Sequence, residues 1–182
     1  MRSTPWEDVL HFWRDAGPSA WFAKNEDFDR RFRERFHDAH FAAARRELDG
    51  WITQSPASAL ALVLLLDQYP RNAFRGTSHM YATDPLARHV ADRLIAQDFD
   101  GRIDASLRLF CYLPFAHSEA MADQERSLAL HRAKLDAQST RHAQEHLDIV
   151  RRFGRFPHRN RVLGRETTPE EQAFLDAGGF AG

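Results

Sequence analysis

The sequence predicts an all-α fold, and three observations carry that reading. Thr4-Pro5, Ser55-Pro56, Asp84-Pro85 and Thr168-Pro169 each set a capping residue directly before proline. This pairing marks helix starts, because proline fixes φ and its missing N–H is not needed in the first turn. Apolar residues recur at helical spacing after each start, and no segment alternates as a half-buried strand would. The expectation is a single domain over residues 1–182, built from seven or eight mostly antiparallel helices joined by short connections.

The first helix is expected from about Pro5 to Asp15, with a capping box formed by Thr4 and Glu7 and a stop at Gly17. A second should run from Asn25 to about Leu48, because Phe28, Phe32 and Phe36 form a core-facing stripe. The third, Pro56 to Gln68, is apolar nearly all round, as expected of a central helix. A loop from Tyr69 to Thr83 follows. The fourth helix, Pro85 to about Gln97, carries a Leu86-Val90-Leu94 seam. A fifth runs from about Asp104 to Leu113, where Pro114 ends or kinks it. Ser118 is read as the cap of a sixth helix that begins at Glu119 and reaches about Phe153, with a break near Gln138-Ser139-Thr140. The last helix, Pro169 to Asp176, has Thr168 and Glu171 as a capping box. The tail G-G-F-A-G, residues 178–182, is either frayed or a docking clip. No strict 34-residue period is present, so pattern alone gives no tetratricopeptide array.

Composition narrows the function. Lys and Arg total 25 against 26 Asp and Glu, for a net charge of -1. A general nucleic-acid or membrane-surface binder would be strongly basic. The single Cys111 rules out an intrachain disulfide framework and sits in an apolar stretch. No secretory signal is visible, and the longest apolar run, Ala59 to Leu66, is far below the roughly 20 residues of a membrane span. The expected location is the cytoplasm.

Chemistry concentrates at helix ends. Asp67 closes an apolar helix near the negative end of its dipole, so a cation should compensate it, with Arg71 and Arg75 nearest in sequence. The segment Leu113 to Glu119 joins a proline, His117 and a helix-start carboxylate. His117 is a candidate general base, and Ser118 is a poor nucleophile because its hydroxyl is wanted for the cap. His142-Ala143-Gln144-Glu145-His146 matches a short zinc-protease pattern weakly, and a buried, hydrogen-bonded His146 explains it equally well. His37 and His40 are read as packing or surface residues. The segment Phe153 to Arg165 gathers Arg155, His158, Arg159, Asn160, Arg161 and Arg165, either as an arginine-knitted structural loop or as part of an anion site. No phosphate-binding Walker loop, dinucleotide fingerprint or Cys–His metal cluster is present.

Several blocks together resemble the bacterial family catalogued as domain of unknown function 924. They are L-L-L-D-Q-Y-P-R-N-A-F-R-G, Y-L-P-F-A-H-S-E, A-D-Q-E-R-S, H-L-D-I-V-R-R-F-G-R-F-P-H-R-N-R-V-L-G-R and T-P-E-E-Q-A-F-L, with the amino-terminal W-E-D-V-L-H-F-W. The resemblance implies a tetratricopeptide-repeat-like helical stack and brings no reaction or cofactor. It marks Asp67, Gln68, Arg71, Asn72, Arg75, His117, Glu119, Gln124, Glu125, His146, His158, Arg159 and Asn160 as motif positions. The leading expectation is therefore a protein that binds a small anionic molecule or peptide end, with Asp67, Gln68, Arg71, Asn72, Arg75, His117, Glu119, His146, His158, Arg159 and Asn160 around the ligand. No metal, cofactor, nucleic acid or membrane is expected. One alternative is a metal-independent hydrolase or lyase using His117, Glu119 or His158. Another is a helical interaction scaffold with structural arginine–carboxylate loops.

Overall fold

The computed structural model describes residues 5–180, so Thr4 and its expected capping box lie outside the described residues. Among the described residues every regular element is helical. The chain divides into two compact units. Met1–Arg75 with His79–Pro114 makes the first; Gly76–Ser78 with Phe115–Gly182 makes the second.

In the first unit, α1 (Trp6–Ala16), the short α2 (Pro18–Trp21) and α3 (Glu26–Ala44) enclose an aromatic core. Phe28, Phe32 and Phe36 are buried as their four-residue spacing requires. Trp13 is fully buried, and the Trp21 indole N–H donates to Trp13 O at 2.7 Å. Asn25 caps α3 by accepting the Phe28 N–H. The helix stops at Ala44, earlier than the expected Leu48. Irregular turns follow, with Arg46 at φ 65°, before the short α4 (Trp51–Gln54).

Ser55 caps α5 (Pro56–Val63), accepting from Ser58 N–H as the Ser-Pro signal predicts. From Ser58 to Gln68 every residue is buried, as befits a central helix. The expected loop after Gln68 is corrected here. The helix widens into one π-turn, Leu64–Gln68, and continues as α6 (Tyr69–Ala73). Pro70 is the cause. It has no N–H for Leu66 O, and its ring would crowd that carbonyl in an ordinary turn. Tyr69 N–H bonds back to Leu64 O instead, a five-residue step that relieves the crowding. The carbonyls left over find side chains: Thr83 Oγ1 donates to Leu66 O at 2.6 Å, and His40 Nδ1 bonds Leu65 O at 2.9 Å.

The next helix, α7 (Asp84–Ala96), buries Ala87, Val90, Ala91 and Leu94. Asp84 was expected to cap it, but Thr83 occupies that position without a side-chain cap bond. The Thr83 hydroxyl is used at Leu66 O, and Asp84 serves an arginine described below. The expected fifth helix is replaced by turns, a 3-10 segment at Arg108–Cys111 and a short α8, Leu113–Ala116. Pro114 sits in the first turn of α8, where its missing N–H is harmless, rather than ending a longer helix.

The second unit is built on the pair α9 (Met121–Lys134) and α10 (Ala137–Phe153), with Leu128, Ala143 and Leu147 packed between them. The break falls at Leu135–Asp136, before the expected Gln138, because Asp136 caps α10 through the Ser139 N–H. Ser118 does not cap α9, whose N-cap is Ala120. The last helix, α11 (Pro169–Asp176), has the predicted capping box between Thr168 and Glu171. No helix among the described residues is long and apolar enough to cross a membrane.

Candidate functional site

Each unit gathers its own share of the motif residues. In the first unit, Asp67 and Gln68 lie on the π-turn and Arg71, Asn72 and Arg75 follow on α6 and its end. Gln68 Nε2 donates to Asp67 Oδ2 at 2.6 Å. Arg71 grips both oxygens of Asp84 at 2.8 and 3.0 Å, and also reaches Asp67 O at 2.8 Å and Asp67 Oδ1 at 3.2 Å. Burial opposes the Arg71 charge, but Asp67 and Asp84 more than restore it, and its pKa is raised. Asn72 donates to Gln68 O and accepts from Arg75, whose guanidinium takes both oxygens of Asp29 on α3. The Y-P-R-N segment is thus a lattice that fixes the π-turn to α3 and α7.

Close by, His40 has no exposed surface, and its Nε2 lies 2.9 Å from His79 Nε2. Leu65 O only accepts, so His40 Nδ1 carries a proton. In the neutral ring His40 Nε2 is then the acceptor, and His79 donates from Nε2. Burial lowers the His40 pKa to about 4.

In the second unit a continuous chain of charge-assisted bonds organises the F-P-H-R-N loop. Arg165 takes both oxygens of Glu119 at 2.7 and 2.9 Å and also donates to Phe156 O. Glu119 Oε1 accepts the Phe156 N–H as well. Burial works against the Glu119 charge, yet Arg165 and Phe156 N–H outweigh it, and the pKa is lowered. Arg155 takes both oxygens of Glu171 at 2.6 and 2.9 Å, and these bonds pull that carboxyl down to about 2. Asn160, with no exposed surface, joins the two pairs: its Oδ1 accepts from Arg165 Nε and its Nδ2 donates to Glu171.

The loop so held presents a second, different cluster. The buried Phe156 ring is its hub, with His146 at 5.5 Å, His158 at 5.7 Å and the Arg159 guanidinium carbon 4.6 Å from the ring centre. Arg159 also donates to His117 O at 2.9 Å. The neighbouring carbonyls, Ala116 O and Ser118 O, both accept from Gln124, so the turn carrying His117 is clamped at three successive residues. His146 Nδ1 bonds His142 O at 2.8 Å. Burial above all holds His146 at about 4 and His158 at about 3, with the Arg159 charge acting in the same direction on both. Both rings are neutral at pH 7. His158 Nδ1 is buried without a hydrogen-bond partner.

Ser118 Oγ donates to Asp123 and accepts the Ala120 N–H, so the hydroxyl serves a turn. His142 is exposed beside Glu145. Among the described residues no three side chains of His, Cys, Asp or Glu are placed to hold a metal ion. A groove of about 530 Å³ lies on the first unit, lined by Phe12, Phe28, Arg31 and Arg35 among others and by none of the candidate site residues. Sequence reasoning missed Asp29, and it saw Asp84 only as a helix cap and Phe180 only as part of the tail. Glu171 was visible as a capping residue, without its arginine.

Fold and cluster together define an all-helical protein with an imidazole–guanidinium group on a loop fixed by ion pairs. Residues 9–179 match the family model described as "Bacterial protein of unknown function (DUF924)", and the chain belongs to that family. It is similar to a solved structure of a protein of unknown function, ATU0120, from Agrobacterium tumefaciens. The two share 57% identity over 95% of this chain and 97% of that one, with a TM-score of 0.92. No curated protein matches it.

Proposed function

We propose that the protein binds a small anionic ligand at the His146–His158–Arg159 cluster of its second unit. One observation carries this reading: His158 Nδ1 is buried beside a guanidinium with no hydrogen-bond partner. A buried polar nitrogen left unpaired costs about 1–3 kcal/mol, and in the tautomer with the proton on Nδ1 a ligand oxygen accepting that proton would recover it. A neutral His158 can donate one hydrogen bond to an anion, while His146 gives its single proton to His142 O and offers its ring face. Arg155 and Arg165 have supporting roles instead, each engaged by a carboxylate on both oxygens.

A hydrolase or lyase reading has less support. It needs a carboxylate to orient a histidine, and Glu119 spends both oxygens on Arg165 and the Phe156 N–H. The test is a thermal-shift panel of carboxylates and phosphates on wild type and His158→Ala. At a hundred times Kd, a ligand stabilises by about 2.7 kcal/mol. The expected result is a rise in Tm for wild type that His158→Ala, still folded, does not show. A panel that moves neither protein, or both equally, would sink the reading.

A further inference from the structure

The segment after α11 is shaped to return a ring to this cluster. Gly178 takes φ +79° and its N–H bonds Leu175 O, while Gly179 N–H bonds Phe174 O. These are the two bonds of a Schellman turn, which reverses the chain at a helix end. The glycines are needed for different reasons. Gly178 adopts a left-handed φ. At Gly179 a Cβ would meet the Phe174 ring at 2.5 Å and the Phe174 carbonyl oxygen at 2.6 Å. The reversal delivers Phe180 onto the imidazoles, 4.6 Å from His146 and 5.1 Å from His158 between ring centres, with Phe156 behind at 6.5 Å. Yet Phe180 remains 38% exposed, unlike the fully covered Phe156. It rests on the cluster as an outer cover.

We infer that Phe180 is a displaceable plug in the apolar half of the ligand site, so the ligand is an anion bearing an aromatic ring of about phenyl size. This rests on the anion-binding reading above. The ring stands where a ligand's own ring would stack on His146 and His158, with the anionic group toward Arg159. Two residues without room or freedom for a side chain give the plug one defined seat and a short path out of it.

The experiment compares wild type, Phe180→Ala, Phe180→Leu and Gly179→Ala by calorimetric titration with phenylacetate, phenyl phosphate, acetate and inorganic phosphate. Phe180→Ala should bind the aryl anions at least tenfold tighter than wild type, with no comparable gain for acetate or phosphate. Gly179→Ala, which expels the tail with its ring intact, should show the same gain, and Phe180→Leu should stay near wild type. In parallel, diethylpyrocarbonate should acylate His146 and His158 several-fold faster in Phe180→Ala and Gly179→Ala, a readout that requires no ligand. Binding of all four anions without an aryl-specific gain would overturn the plug and leave the anion site standing. Unchanged acylation in both opened variants would overturn the plug by itself. Failure of every anion to bind any variant would remove both.

Discussion

Asn160 shows how one side chain can decide the state of a whole loop. Its amide is the link between the Glu119–Arg165 and Glu171–Arg155 pairs, and it is fully enclosed. The amide suits the place because it offers a donor to one pair and an acceptor to the other. Asn160→Ala should therefore cost about 2 kcal/mol or more, since Arg165 Nε loses its acceptor and Glu171 a donor. Urea denaturation would measure this, and a loss under 0.5 kcal/mol would show that Asn160 is not the link. The ring nitrogens of His40 illustrate a different constraint. Leu65 O fixes one proton, and that choice fixes the tautomer of His79 across the 2.9 Å bond.

Among the elements, the α5–α6 helix is the one that most needs its neighbours. Its π-turn exists because Pro70 sits mid-helix, and it is affordable because Thr83 and His40 cover the carbonyls it releases. Replacing Thr83 by Val keeps the shape but leaves Leu66 O buried without that donor. The expected loss is about 1–3 kcal/mol by chemical denaturation, with unchanged helix content by circular dichroism. A neutral Thr83→Val would mean that the wide turn needs no such support. The α9–α10 pair depends far less on outside help, since its break is set locally by the Asp136 cap.

For the whole molecule, the shifted groups act in one direction as pH falls. Burial lowers His40, His146 and His158 to about 4, 4 and 3, below the ordinary 6.5. The unfolded chain therefore binds protons first, and stability present above pH 6.5 is withdrawn as pH falls toward 4. Glu119 and Glu171 are lowered below 4.5, so their contribution is lost only in more acid solution. Melting temperature should thus begin to drop near pH 6.5, well before the carboxylates titrate. A curve flat from pH 7.5 to 5 would contradict this assignment.

Much of this molecule was legible in its sequence, for reasons that differ by place. Local chemistry marked the starts well: Ser55, Asn25 and Thr168 cap as their residue types require. It failed where a distant partner outbid the local role. Asp84 belongs to Arg71, thirteen residues away, and the Thr83 hydroxyl to Leu66 O, seventeen away. Pro70 read as a helix stop because spacing cannot show that a wider turn would absorb it. In the loops, residue types foretold arginine–carboxylate knitting, but Glu171 and Asp29 were hidden by distance along the chain. The imidazole cluster around Phe156 was readable only as separate histidines.

The extra residue in the Leu64–Gln68 turn also sets the angular phase of everything after it. Each residue advances an α-helix by about 100°. Winding the same residues as ordinary α-helix would swing Arg71 and Arg75 by about that angle, away from Asp84 and Asp29, whereas deleting one residue from the turn would leave their direction nearly unchanged. The turn therefore works as a phase shifter: it lets one uninterrupted rod satisfy an apolar stripe upstream and a differently aimed set of cations downstream.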